Sequence, residues 1–121
     1  MSNIIEDRIK VSKLIFDVLL EKSSVLEALK NFPKDSVDAS VNTCFHILVH
    51  YESDADIRKK DILYKEVQED FLIETAQTLS KGNPLPANII AEYKEFYGSD
   101  LFYKKPTSEN LLKRLLKSIN L

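Results

Sequence analysis

The sequence predicts an all-α protein, folded as a single compact antiparallel bundle of about five to six helices over residues 1–121. Glycine and proline are scarce, at 2 and 4 residues, and each lies at or beside a predicted helix end. Between these breaks the apolar residues recur with the period of a helix, and no segment alternates as a strand would. Short connections between the helices favour antiparallel neighbours.

Recognisable capping residues bound the first two predicted helices. The first runs from about Asn3 to Lys22, with apolar side chains on about half of its cylinder and charged side chains on the other half. The second begins at a capping box formed by Ser24 and Glu27, and it ends before Pro33.

A third helix is predicted to lie at the centre of the bundle. Asp35 or Ser36 caps it, and Val37 opens an apolar stripe that Ile47 and Val49 widen to more than half of the circumference. The stripe continues through Val41, Cys44, Phe45 and Leu48. A helix so apolar needs neighbours on several sides, and Cys44 is expected to serve as a small core residue.

The second half of the chain is expected to form the remaining helices. One begins at Asp54 and ends at Gly82, with a break near Asp61, where the apolar periodicity is poor. Pro86 opens the next helix, which Gly98 closes. The last helix begins at Thr107 or Ser108, and its apolar residues are Leu111, Leu112, Leu115, Leu116 and Ile119.

Composition excludes several classes of protein. The chain is 44% hydrophobic and 30% charged, which is typical of a soluble domain with a core. No apolar run has the length needed to cross a bilayer, so no membrane association is expected. The first residues lack a basic region followed by an apolar stretch, and Cys44 is the single cysteine. We therefore expect a cytoplasmic protein without an internal disulfide.

Charge is unevenly distributed along the chain. The net charge of −2 makes nucleic acid an unlikely partner. Residues 101–121 carry five basic side chains and one acidic one, whereas residues 52–74 carry eight acids and four bases. Two explanations stay open: the basic end packs against the acidic region, or the acidic region is a surface for a partner.

His46 and His50 are the two histidines, and they stand four positions apart on the third helix. This spacing is common in metal sites, and the angle count places both imidazoles on the narrow polar arc. No glutamate of a His-Glu-x-x-His motif lies between them. The segment after Glu52 also lacks the glycine and glutamate of an EF-hand, so no cofactor is expected and metal binding is the alternative hypothesis.

The segment from Glu52 to Asp61 is the best candidate for a protein-binding surface. It combines Asp54, Asp56, Arg58 and Asp61 in a dense run of mixed charge. Its plainest interpretation is a solvated helix face in which the acids cap a helix. Arg58 is also a candidate to bridge two helices.

A second candidate lies near the C-terminus, where Phe102 and Tyr103 precede Pro106 in a presumed loop. Aromatic anchors dominate the energetics of many interfaces. The run Gly98-Ser99-Asp100-Leu101-Phe102-Tyr103, followed by a proline and a capped helix, resembles the toxin-binding corner of colicin DNase immunity proteins, which are four-helix bundles. In that family a second tyrosine and acidic surroundings follow, whereas Lys104 and a basic region follow here. The chain is not assigned to that family.

These observations predict a non-enzymatic protein that acts by binding another protein, in an immunity, adaptor or regulatory role. The spacings give no Gly-rich phosphate loop, no Ser/His/Asp arrangement and no paired carboxylates of a recognisable kind. The alternative is a small metal- or ligand-binding protein centred on His46 and His50.

Overall fold

The computed structural model describes the backbone of residues 3–97 and the side chains of residues 3–95. This part of the chain is helical and contains no strand. The helices are α1 (Ile4–Leu19), α2 (Val25–Lys30), α3 (Ala39–Ser53), α4 (Ala55–Lys60), α5 (Ile62–Ser80) and α6 (Ala87–Tyr97). The predicted all-α bundle is confirmed. The predicted last helix, after Thr107, lies outside the described residues.

Most of the predicted helix ends are confirmed, although α1 ends at Leu19 and not near Lys22. The Oγ of Ser24 accepts a hydrogen bond from the backbone N–H of Glu27 at 3.1 Å, which starts α2. The predicted break at Asp61 separates α4 from α5, and the carboxylate of Asp61 accepts from the N–H of Tyr64 at 3.1 Å. Local capping chemistry therefore sets these boundaries.

The start of α3 differs from the prediction. Asp35 and Ser36 do not cap the helix; Asp38 does, and its Oδ2 accepts from the N–H of Val41 at 3.3 Å. Val37 therefore precedes the helix and is 73% exposed instead of opening the apolar stripe. The reason is a contact with α1, which lies far away in the sequence.

Arg8 of α1 connects its helix to the start of α3 and to the end of α5 through hydrogen bonds. Its Nε and Nη2 donate to the two carboxylate oxygens of Asp38 at 3.0 and 2.8 Å, and its Nη1 donates to the carbonyl of Gly82 at 2.9 Å. The bond to Asp38 raises the pKa of Arg8. Gly82 has φ +79°, and a Cβ there would lie 2.9 Å from Ile5, so the close approach of α1 to the end of α5 requires glycine.

These contacts define the directions of the helices. The Arg8–Gly82 bond brings the start of α1 against the end of α5, so the two helices are antiparallel. The N–H of Leu85, just before α6, donates to Ser40 near the start of α3, and further along α6 Tyr93 reaches the end of α3. The last described helix therefore runs in the same direction as α3.

The core confirms the central position of α3, which contacts α1, α2, α4 and α6. Val41, Cys44 and Leu48 are almost fully buried, and Ile47 and Val49 join them on the widened stripe. Burial raises the pKa of the Cys44 thiol well above its usual range. No helix among the described residues is long and apolar enough to cross a membrane.

Candidate functional site

The predicted charged segment lies where α3, α4 and α5 meet. Asp54 ends α3 and precedes α4, and α4 then packs against α5. Six side chains form what we call the polar junction: His50, Tyr51, Asp54, Arg58, Tyr64 and Gln68. Three of the predicted site residues belong to it: His50, Asp54 and Arg58.

Asp54 is the centre of the polar junction and is 8% exposed. Its Oδ2 accepts from the hydroxyl of Tyr64 and from Nε2 of Gln68 at 3.0 Å, and it lies 3.1 Å from Nε2 of His50. The bond to this carboxylate raises the pKa of Tyr64. Asp54 is the N-cap residue of α4, as the sequence predicts, but its side chain makes no capping hydrogen bond there. Its carboxylate joins α3 to α5 instead.

Arg58 performs the same task from α4. Its guanidinium carbon lies 3.5 Å from the centre of the Tyr51 ring, and its Nη1 donates to the carbonyl of Tyr51 and to Oε1 of Gln68, the latter at 2.8 Å. Burial raises the pKa of Tyr51, although the charge of Arg58 acts in the opposite direction. Arg58 therefore bridges the helices through a carbonyl and an amide, and its charge is not freely displayed to solvent.

Gln68 links the two halves of the polar junction, because its amide donates to Asp54 and accepts from Arg58. Gln68, Tyr51 and Tyr64 were not among the residues predicted from the sequence. A signal was present for two of them: Tyr64 and Gln68 stand one helical turn apart and face the same direction. What the sequence does not show is that this face of α5 lies opposite the end of α3.

Beside the polar junction, α4 and the first half of α5 expose apolar side chains. Ile57, Ile62, Leu63 and Val67 are 46%, 63%, 69% and 70% exposed, and they are four of the nine large apolar residues exposed in the described part of the chain. The exposed acids on or between α4 and the first half of α5 are Asp56, Asp61, Glu66 and Asp70. We call these eight residues the α4–α5 surface; the exposed bases of the same segments are Lys59, Lys60 and Lys65. Two of the predicted partner-binding residues, Asp56 and Asp61, lie on it.

The two histidines occupy different environments. His46 is 1% exposed, so its predicted position on the polar arc is wrong; it lies edge-on to Phe45 inside the core. Burial lowers its pKa to about 4. His50 is exposed, with Nδ1 3.3 Å from the hydroxyl of Tyr93 and Nε2 facing Asp54. The cause is that α6 packs over the side of α3 that the helical wheel leaves polar.

The metal hypothesis gains no support from this geometry. The two imidazoles do not share an open face, and within the described range no group of three or more His, Cys, Asp or Glu side chains is placed to hold a metal ion. Phe102 and Tyr103, together with the run from Gly98 that resembles an immunity-protein corner, lie outside the described residues.

Comparisons with known proteins give no functional guidance. No protein-family model matches the chain, and no curated protein or solved structure shows significant similarity to it.

Proposed function

We propose that this chain is a non-enzymatic protein that acts by binding another protein through the α4–α5 surface. The observation that carries the proposal is the set of exposed apolar side chains on two adjoining helices. Leu63 and Val67 lie one turn apart on α5, and both are more than two-thirds exposed. Apolar residues scattered singly on a surface need no explanation, whereas grouped ones with polar neighbours mark interaction sites.

The polar junction supports this proposal because it holds the surface in place. Asp54 ties the end of α3 to α5, and Arg58 ties α4 to both. A surface that is already ordered loses less conformational entropy when a partner binds. The short helix α4 would otherwise be a marginal element, since six residues form few helical hydrogen bonds.

The charge around the apolar residues indicates the kind of partner. Acids outnumber bases by eight to four over residues 52–74. Asp54 and Arg58 are both engaged inside the polar junction, and the remaining acids exceed the exposed lysines Lys59, Lys60 and Lys65. We expect a partner with an apolar anchor flanked by lysine or arginine. Its association rate should fall as salt is raised, because exposed charges are screened within about 10 Å at ~0.1 M ionic strength.

Two environments support a binding role over catalysis. The Cys44 thiol is buried and its pKa is raised, which disfavours the thiolate that nucleophilic chemistry needs. His46 is enclosed in the core, and His50 faces Asp54 and Tyr93. We also propose a cytoplasmic location, which the lone buried cysteine supports.

The test is affinity capture from the native host with matched variants. Leu63→Lys/Val67→Lys places two charges on the α4–α5 surface. Leu20→Lys/Val37→Lys makes the same changes at residues that are 62% and 73% exposed but lie on neither helix. A partner that binds wild type and the control, and is lost from the first variant, supports the proposal. Equal recovery with both variants would place the binding surface elsewhere.

A further inference from the structure

We infer that residues 101–121 of the same chain dock on the α4–α5 surface when no partner is bound. The inference rests on the proposed function, because it treats this surface as a docking face. It adds an occupant, and with it a class of partner: a basic amphipathic helix that competes with the chain's own C-terminal segment. Three observations support it, namely where the described chain ends, how far the rest can reach, and what chemistry it carries.

The described chain ends at the end of the bundle that holds the proposed docking face. Tyr93 of α6 lies 3.3 Å from His50, whose other ring nitrogen lies 3.1 Å from Asp54 at the start of α4. Since α6 runs in the same direction as α3, its remaining four residues lead about 6 Å further toward the end of the bundle that holds α4. Residue 98 therefore follows a helix that ends at the same end of the bundle as α4.

The connection is long enough to reach the exposed side of α5. Residues 98–106 are nine residues, and an extended chain spans about 3.3 Å per residue, or roughly 30 Å in all. A helix with its side chains is about 10–12 Å across. The predicted helix after Thr107 can thus be delivered to Leu63 and Val67 without moving α6.

The chemistry of the segment complements the surface. Its leucines repeat at helical spacing and predict one continuous apolar stripe, with Lys113 and Arg114 on either side of that stripe. The α4–α5 surface offers exposed apolar residues with Glu66 and Asp70 among them. Residues 101–121 carry net charge +4 and the rest of the chain −6. Docking would remove from water both the predicted apolar stripe of the C-terminal segment and the apolar residues of the α4–α5 surface.

The experiment measures whether the C-terminal segment shields Val67. In the full-length chain, Val67→Cys introduces a thiol on the surface, while Cys44 is buried and stays silent. Its rate of labelling by a thiol reagent is measured with the native segment and with Leu112→Asp/Leu116→Asp, which breaks the apolar stripe. Val37→Cys, at a position of nearly equal exposure, is the matched control.

We expect labelling of Val67→Cys to rise about tenfold when the stripe is broken, if docked molecules outnumber undocked ones by about ten to one. Labelling of Val37→Cys should not change. Equal rates at Val67→Cys with either segment would overturn the inference, and so would protection that increases with protein concentration, because the occupant would then be another copy. If the aspartate variant fails to fold, the labelling rate of Val67→Cys is compared with Lys113→Glu/Arg114→Glu, which removes the positive charges beside the stripe.

This inference and the proposed function fail in different ways. Unprotected Val67→Cys, together with partner loss in Leu63→Lys/Val67→Lys, would leave the partner surface standing and refute intramolecular docking. Protection together with unchanged partner binding would support docking and refute the partner surface. If the partner surface and the intramolecular docking are both correct, breaking the stripe should lower the Kd of the partner by a factor similar to the gain in labelling. The reason is that a competing occupant is removed.

Discussion

Buried His46 should make the fold acid-sensitive in a way that can be removed by one substitution. Its pKa is lowered from 6.5 to about 4, because burial disfavours the charged imidazole. The unfolded chain therefore binds an additional proton between these two values. The free energy of unfolding should fall as the pH is lowered through that window, with the full loss reached below about pH 4.

The magnitude follows from the shift. One pKa unit corresponds to about 1.4 kcal/mol, so His46 accounts for about 3 kcal/mol of stability that is present at neutral pH and lost in acid. This is a large share of the roughly 5–15 kcal/mol typical of a domain. The assay is urea unfolding at several pH values for wild type and for His46→Leu, which is neutral throughout.

The comparison isolates the imidazole, since the carboxylates titrate in both proteins. The stability of His46→Leu should decline less steeply between pH 6.5 and pH 4 than that of wild type. Parallel pH profiles for wild type and His46→Leu would show that the imidazole is not buried in the folded state.

Three further predictions concern the Arg8–Asp38 ion pair, the polar junction and the Cys44 thiol. Arg8→Met should destabilise the fold by about 2–4 kcal/mol in urea unfolding, since it leaves the carboxylate of Asp38 buried without its counter-charge, and a loss below about 0.5 kcal/mol would contradict this. Arg58→Glu should cost about 1–3 kcal/mol, because a carboxylate would then face the acceptor oxygens of Tyr51 and Gln68; Lys59→Glu, on the exposed part of α4, is the control and should cost little. Cys44 should react with thiol reagents only as fast as the protein opens, and rapid labelling under native conditions would refute its burial.

Local sequence patterns were sufficient for the elements of the fold. Ser24 and Asp61 cap the helices that they were predicted to start, since capping depends on residues three positions away. The stripe through Val41 and Leu48 is buried as expected, and α3 is the central helix. These features need no knowledge of the rest of the chain.

Contacts between distant segments determine the features that could not be predicted from the sequence. Asp38 caps α3, and Arg8, thirty residues earlier in the chain, binds both of its carboxylate oxygens. No local sequence pattern distinguishes Asp38 from Asp35 as the capping residue. His46 is buried because α6 covers the polar side of α3. Asp54 was identified as a site residue, but its partners Tyr64 and Gln68 depend on how α5 folds back.

Arg58 belongs to the segment that the sequence predicts as a binding surface, and it is also the residue predicted to bridge two helices. The bonds of Arg58 to Tyr51 and Gln68 make Arg58→Glu a test of stability. Substitutions at Leu63 and Val67 examine binding more cleanly, because these side chains are exposed.

The most direct test of the account is the affinity of the captured partner, once purified, for two single variants of the full-length chain. Val67→Lys and Val37→Lys introduce the same charge at valines that are 70% and 73% exposed. We predict that Val67→Lys raises Kd about tenfold or more, which corresponds to about 1.4 kcal/mol, while Val37→Lys leaves it unchanged. Equal affinities for the two variants, with both folded, would contradict the claim that the α4–α5 surface binds the partner.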